Sequence, residues 1–250
     1  MRTILSTALL SLVMPAAAFA QYGNGRAVTF TIRVENVSTD HTLKLSSGGT
    51  APAPTAPILW TITDDGNPLF AVGKMDRGQG LERLAEDGNP GVLADYIAQH
   101  MKAVAASGVV AMPVGDAAAG AITPGKAYEF TVSAAPGQRL TLAFMFGQSN
   151  DWFYAPGAKA IALFDANGKA MSRDVTNELQ LWDAGTEVNE EPGAGGHQAP
   201  RQPAPNTGTA EHKPIRLVSQ LKGEFGDRAP RTAEVIRVTV SAKGDKVAVK

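Results

Sequence analysis

Residues 181–193 read LWDAGTEVNEEPG, placing Asp183, Glu187, Glu190 and Glu191 within nine positions. The surrounding chain is close to neutral, with 23 Lys and Arg against 24 Asp and Glu. About thirty residues upstream, Gln148-Ser-Asn-Asp-Trp-Phe153 sets Asp151 directly before Trp152, as Trp182 directly precedes Asp183. Carboxylates are hard oxygen donors, and calcium takes six to eight such ligands, often on the loops of extracellular modules. Asp183 and Glu187, with Gly185 between them, could curl toward one point. Asp151, next to the oxygen-bearing Ser149 and Asn150, could complete the site from a neighbouring loop. The same acids could instead form a glycosidase acid–base pair, with Trp152 or Trp182 stacking on a sugar. A third reading is an acidic turn facing solvent. Spacing alone favours the third, because carboxylate clusters without a fixed ligand spacing are poor motifs. An EF-hand is excluded, since the stretch lacks the D-x-[DN]-x-[DN]-G run.

Other chemistry leaves little trace. There is no G-x-S-x-G elbow and no H-E-x-x-H pair, and the chain has no cysteine. Disulfides and thiolate metal sites are therefore absent, and packing alone must hold the fold. His197 and His212 share one long loop, a weak signal for a transition metal. Gly23-Asn-Gly25 precedes a strand pattern rather than following one, which argues against a dinucleotide loop. No basic stripe invites nucleic acid. Trp60, Trp152 and Trp182 read as core or rim packing rather than a ligand platform.

The elements that must position these residues are mostly strands. Val28, Phe30, Ile32 and Val34 alternate with Thr29, Thr31, Arg33 and Glu35, the period-two pattern of a half-buried strand. Similar short patterns fall at 41–45, 58–60, 68–72, 109–112, 127–133, 140–146, 160–164, 215–221 and 235–240. Asp165-Ala-Asn-Gly168 reads as a tight turn between two of them. One region is helical: Gly80–Glu86 forms a short segment. Pro90 then opens a longer helix to about Ser107, with Val92, Ile97, Met101 and Val104 on one face. Seven to nine short strands around a helical insertion at about 80–107 predict an all-β, antiparallel β-sandwich. From about 185 to 213 the chain is poor in apolar residues and rich in Pro and Gly, so this loop is either functional or disordered.

Residues 1–20 carry Arg2, a short apolar run from Ile4 to Val13, Pro15, and Ala18-Phe19-Ala20. This is the layout of a cleaved signal peptide, and it predicts a secreted or periplasmic domain at 21–250 with no later membrane span.

The two segments Asn150-Asp-Trp-Phe153 and Trp182-Asp-Ala-Gly-Thr-Glu187 resemble the signature motifs of the spondin N-terminal domain family. The strand at Phe30–Asn36 and the Leu81–Pro90 segment resemble its bacterial branch. The similarity runs from about Val28 to Val240, with high specificity only in the two motifs. The resemblance implies a sandwich related to C2 domains, with Ca2+ held at one end by Asp151, Asp183 and Glu187. Glu187 departs from the family pattern, which has Asp there, and its arm is one methylene longer. What the resemblance implies about function is a non-enzymatic binding or adhesion-like module, ordered by calcium, for an extracellular or envelope protein or glycan. The rival readings are a carbohydrate-active enzyme or lectin using the same acidic loops, and a purely structural envelope protein. The cysteines and thrombospondin repeats of the animal members are missing, so adhesion to host matrix does not carry over.

Overall fold

The computed structural model describes residues 26–243, so the leader expected at 1–20 lies outside the described residues. Strand β1 (Val28–Asn36) follows the alternation closely: Phe30, Ile32 and Val34 are fully buried while Thr31, Arg33 and Glu35 keep some exposure. A small hairpin follows, β2 (Leu43–Lys44) with β3 (Thr50–Ala51), and then β4 (Ile58–Thr63). Helices α1 (Leu81–Asp87) and α2 (Gly91–His100) lead into β5 (Val104–Val110). Next come β6 (Ala127–Ala134), β7 (Arg139–Met145), β8 (Trp152–Pro156) and the short β9 (Ile161–Ala162) and β10 (Arg173–Asp174). The chain continues through β11 (Leu179–Asp183), β12 (Arg216–Leu217), a one-turn α3 (Thr232–Val235) and β13 (Ile236–Ala242).

The strands form two antiparallel sheets. The smaller runs β10-β13-β1-β6, and the larger β12-β11-β8-β7-β4-β5 with β9 also on β7. Period-two alternation gives the larger sheet two apolar faces. Ile58, Ile62, Leu140, Leu142, Phe144, Trp152, Tyr154 and Leu181 face the smaller sheet, where they meet Phe30, Ile32, Val34, Tyr128, Val132, Val238 and Val240. Leu59, Ala143, Phe153, Ala155 and Trp182 point the other way, into a second core under Leu81, Leu84, Leu93 and Ile97 of the helices. The architecture is thus an all-β antiparallel sandwich with a helical layer on the outside of its larger sheet. Trp152 and Trp182 are core residues of opposite faces, 0% and 3% exposed.

Two expectations need correcting. Helix α2 stops at His100 instead of running to Ser107, and its buried residues are Leu93 and Ile97, not Val92, which is exposed. Val104–Val110 leaves the helix because it completes the sheet on β4, where Gly108 faces Trp60 across the pair. A Cβ on Gly108 would sit 2.9 Å from the Trp60 indole, so the ring covers the space a side chain would fill. Likewise 68–72 is no strand: Leu69 and Phe70 plug the second core from an irregular segment, Phe70 edge-on to both Phe153 and Trp182. The Asp165–Gly168 turn is present, closed by Gly168 N–H donating to the Asp165 carbonyl at 3.0 Å.

The 185–213 segment is an ordered excursion that doubles back on itself. Lys213 N–H donates to the Gly185 carbonyl (2.7 Å), Glu211 N–H to Thr186 (2.9 Å) and Val188 N–H to Thr209 (2.8 Å). These bonds prolong the β11–β12 pairing past Asp183 opposite Arg216. The far part of the loop is tied down by Gln202 on Asp87 (2.9 Å), Ser46 on Glu191 (2.5 Å) and Gly193 N–H on the Gln148 carbonyl (3.0 Å). No helix among the described residues is long and apolar enough to cross a membrane.

Candidate functional site: a buried aspartate pair

Asp151 and Asp183 reach the same end of the larger sheet because β8 starts at Trp152, β11 ends at Asp183, and these two residues pair in register. The preceding Ser149 builds the turn that delivers Asp151: its hydroxyl donates to the Phe146 carbonyl (2.7 Å) and accepts from Trp152 N–H (3.1 Å). Asn150 clamps the turn to the acidic loop. Its amide oxygen accepts from Glu190 N–H (2.9 Å), and its amide nitrogen donates to Glu187 Oε1 (3.3 Å) and Glu190 Oε2 (3.2 Å).

Asp151 and Asp183 are both fully buried, at 0% exposure. Asp151 Oδ2 accepts from the N–H groups of Thr186 (2.8 Å) and Glu187 (3.2 Å) and from the Thr186 hydroxyl (3.3 Å). Asp183 Oδ2 accepts from the Asn189 amide at 2.7 Å and lies 3.8 Å from Arg216 Nη2. The other oxygen of each carboxylate, Oδ1, is buried without a hydrogen-bond partner, and so is Asn189 Oδ1. Glu211, part of the same cluster, holds Lys213 through Oε1 at 2.6 Å, while its Oε2 lies 3.5 Å from Arg216.

Burial pushes the Asp151 carboxyl well above the usual carboxylate range, and the negative charge of Asp183 adds to the rise against the two backbone N–H groups. Asp183 is also raised, first by burial, with Asn189 and Arg216 opposing. An unpaired acceptor shut away from water costs about 1–3 kcal/mol, and more when charged. Two such oxygens on neighbouring buried acids therefore call for a proton or a cation.

Glu187 is placed differently. It is 3% exposed, and its backbone N–H rather than its carboxylate meets Asp151. The carboxylate turns toward Asn150, Glu190, Asp87 and Glu86. Glu190 is held down in pKa: burial raises it, and hydrogen bonds from His197 and Asn150 outweigh that. Glu191 pairs with Ser46 and Arg228 on the other side of the loop. The four acids of 183–191 thus face three different surroundings. His197 bonds Glu190 at 3.0 Å, whereas His212 lines a separate cleft.

Calcium chemistry fits the pair in part. The donors are hard oxygens, and the orphaned Oδ1 atoms of Asp151 and Asp183, with Asn189 Oδ1, would be satisfied by a divalent ion. Among the described residues, however, no three His, Cys, Asp or Glu side chains form a group that could hold a metal ion. An ion here would therefore draw on amide or carbonyl oxygens and water beside the two aspartates.

Sequence reasoning passed over Glu211, Arg216 and Glu86. Glu211 and Arg216 arrive only because the loop folds back, bringing residues some thirty positions apart into register with 183–186. Glu86 had one legible signal, an acid in the same short helical stretch as Leu81, Leu84 and Ala85. Comparison with models of protein families and with curated proteins finds no match for this sequence.

Proposed function

We propose that this chain is an exported, non-enzymatic β-sandwich module of spondin type whose loops are ordered by calcium. The observation that carries the reading is the pair of buried Oδ1 atoms, on Asp151 and Asp183, that no donor satisfies. In this reading Asp151 and Asp183 hold the ion, and Asn189 Oδ1, buried and without a partner, is a candidate for a third oxygen. The ion supplies the positive charge that two adjacent buried carboxylates need in order to stay ionised. The chain's own residues do the rest. Asn150 and the Thr186 and Glu187 N–H groups lock the loop onto Asp151, and Asn189 and Arg216 steady Asp183. The loop surface so fixed would meet an extracellular or envelope protein or glycan. Full burial of both carboxylates supports a structural ion over an acid–base pair flanking a sugar, which must reach its substrate.

A ligand that binds only the folded chain stabilises it by about 2.7 kcal/mol at one hundred times its Kd. For a domain of this size that raises Tm by about 5–10 °C. Calcium should produce such a shift, a chelator should reverse it, and Asp183→Asn should abolish it. Arg216 beside Asp183 supports one alternative, a metal-free ion network in which the guanidinium does the neutralising. Identical melting with calcium and with chelator, together with a large loss of stability in Arg216→Ala, would establish that alternative.

A further inference from the structure

On the far side of Thr186 from the aspartate pair lies a cleft of about 260 Å³. Asp76, Glu82 and Glu86, from α1 and the segment before it, form one wall, and Gly185–Glu187 with Gly208 and Ala210 of the folded-back loop form the other. At its base are two carboxylates that the aspartate pair does not use. Glu86 is 2% exposed and Glu187 3%, and the Oε2 of each is buried without a hydrogen-bond partner. Gly208 is what lets the loop close over them, for a Cβ there would fall 1.0 Å from Glu187 Oε1. The cations nearby are committed elsewhere: Lys213 at the rim pairs with Glu211 and Glu224, and Arg83 pairs with Asp87. The Thr186 hydroxyl bonds Glu86, the Asn150 amide bonds Glu187 Oε1, and His212 is part of the lining, but the two Oε2 atoms meet no donor; Met75 and Ala210 add apolar lining.

We propose that this cleft binds an organic cation, an alkylammonium or guanidinium group carried on an aliphatic stem. Two acceptor oxygens suit a nitrogen donor, which can make two charge-assisted hydrogen bonds at once. They fall short of the six or more oxygens a divalent ion collects. The volume admits a stem of several methylenes, which the apolar part of the lining can cover. Such a group could come from a free amine or from a Lys or Arg side chain of a partner.

The test is isothermal titration of the full mature chain, at pH 8 with saturating calcium, using two probes. Agmatine stands for the free amine, and a blocked Gly-Arg-Gly peptide for the side chain. At least one probe should bind the wild type. Glu86→Gln and Glu187→Gln should each weaken it by about tenfold or more, the loss expected for a charged hydrogen bond, with near-ultraviolet circular dichroism confirming that both variants fold. Tighter binding of agmatine assigns a free ligand, and tighter binding of the peptide a protein partner. Glu86→Gln should keep the wild type's calcium-dependent rise in Tm while losing probe affinity, which separates this result from the calcium reading. The proposal is overturned if neither probe binds, or if both Gln variants bind undiminished. It is also overturned if calcium titrates a second site that Glu86→Gln removes.

Discussion

Glu86 shows how one side chain can make a whole domain sensitive to pH. Its surroundings, burial first and then the nearby charges of Glu82, Glu187 and Asp87, raise its pKa from 4.5 to about 7, with the Thr186 hydroxyl opposing. In the unfolded chain it titrates near the ordinary value. A folded-state pKa above the unfolded one means that the folded form holds its proton longer. The stability so gained is present in full below about pH 4.5 and is lost as pH rises through about 7. Chelated wild-type protein should therefore be less stable at pH 8 than at pH 5, with Glu86 supplying up to about 3 kcal/mol of the difference. Glu86→Gln removes the charge and keeps the shape, so denaturant melts of the variant should show a flatter profile and a higher midpoint at pH 8. A profile as steep as the wild type's would mean that the penalty arises at other acids. Nothing in the local sequence announces this behaviour, because LERLAED reads as an ordinary amphipathic turn until the loop closes over it.

At the scale of elements, local pattern was readable and long-range pairing was not. β1 and β6 show their alternation in the sequence because each buries one face against a core, and period two is what such burial selects, whereas β7 is buried on both faces and reads as a nearly continuous apolar run. Val104–Val110 misled because Val92, Ile97, Met101 and Val104 fit a helical period, whereas the hydrogen bonds to β4 that decide its fate lie forty residues away. The motif residues Asp151 and Asp183 were legible from their Trp neighbours, which anchor β8 and β11 in the two cores. Their partners Glu211 and Arg216 were not, since only the doubled-back loop brings them there. That loop depends on Gly185, whose φ of 69° lies in the left-handed region and whose Cβ would fall 2.2 Å from the Lys213 carbonyl oxygen. Gly185→Ala should cost roughly 2 kcal/mol or more, from backbone strain added to a forced parting of 185 and 213. Because Thr186 and Glu187 N–H groups follow directly, the calcium-dependent rise in Tm should shrink with it. Calorimetry with and without chelator reads both effects in one series.

In the whole molecule, the larger sheet belongs to two cores at once, and the aspartate pair sits at one end of it. The inter-sheet core is built on Phe30, Phe144, Trp152 and their neighbours, and the outer core on Phe153, Trp182 and the helices. Phe153 is fully buried against Phe70, so Phe153→Ala should cost about 3–5 kcal/mol, an expectation that denaturant melts can check. That loss should leave calcium binding in place, since the groups that hold Asp151 and Asp183 belong to Thr186, Glu187, Asn189 and Arg216. Calcium, for its part, should act locally. Its contacts would join the turn at 148–151 to the strand end at 183 and the loop at 186–189, and through the ladder at 185–188 they would reach 209–213. The smaller sheet is linked to this end by packing across the core and by residues 52–54, which bond Asn36 on one side and Gly147 and Gln148 on the other, and these contacts are complete without an ion. Amide hydrogen exchange should then slow on calcium addition in 148–152, 183–190 and 209–217. It should stay unchanged in β1, β6 and β13 under conditions where exchange proceeds by local opening. Uniform slowing across both sheets would show instead that the domain opens only as one unit, with the ion reporting on global unfolding. No slowing anywhere would remove the ion from the account and leave Arg216 as the charge that makes two buried aspartates tolerable.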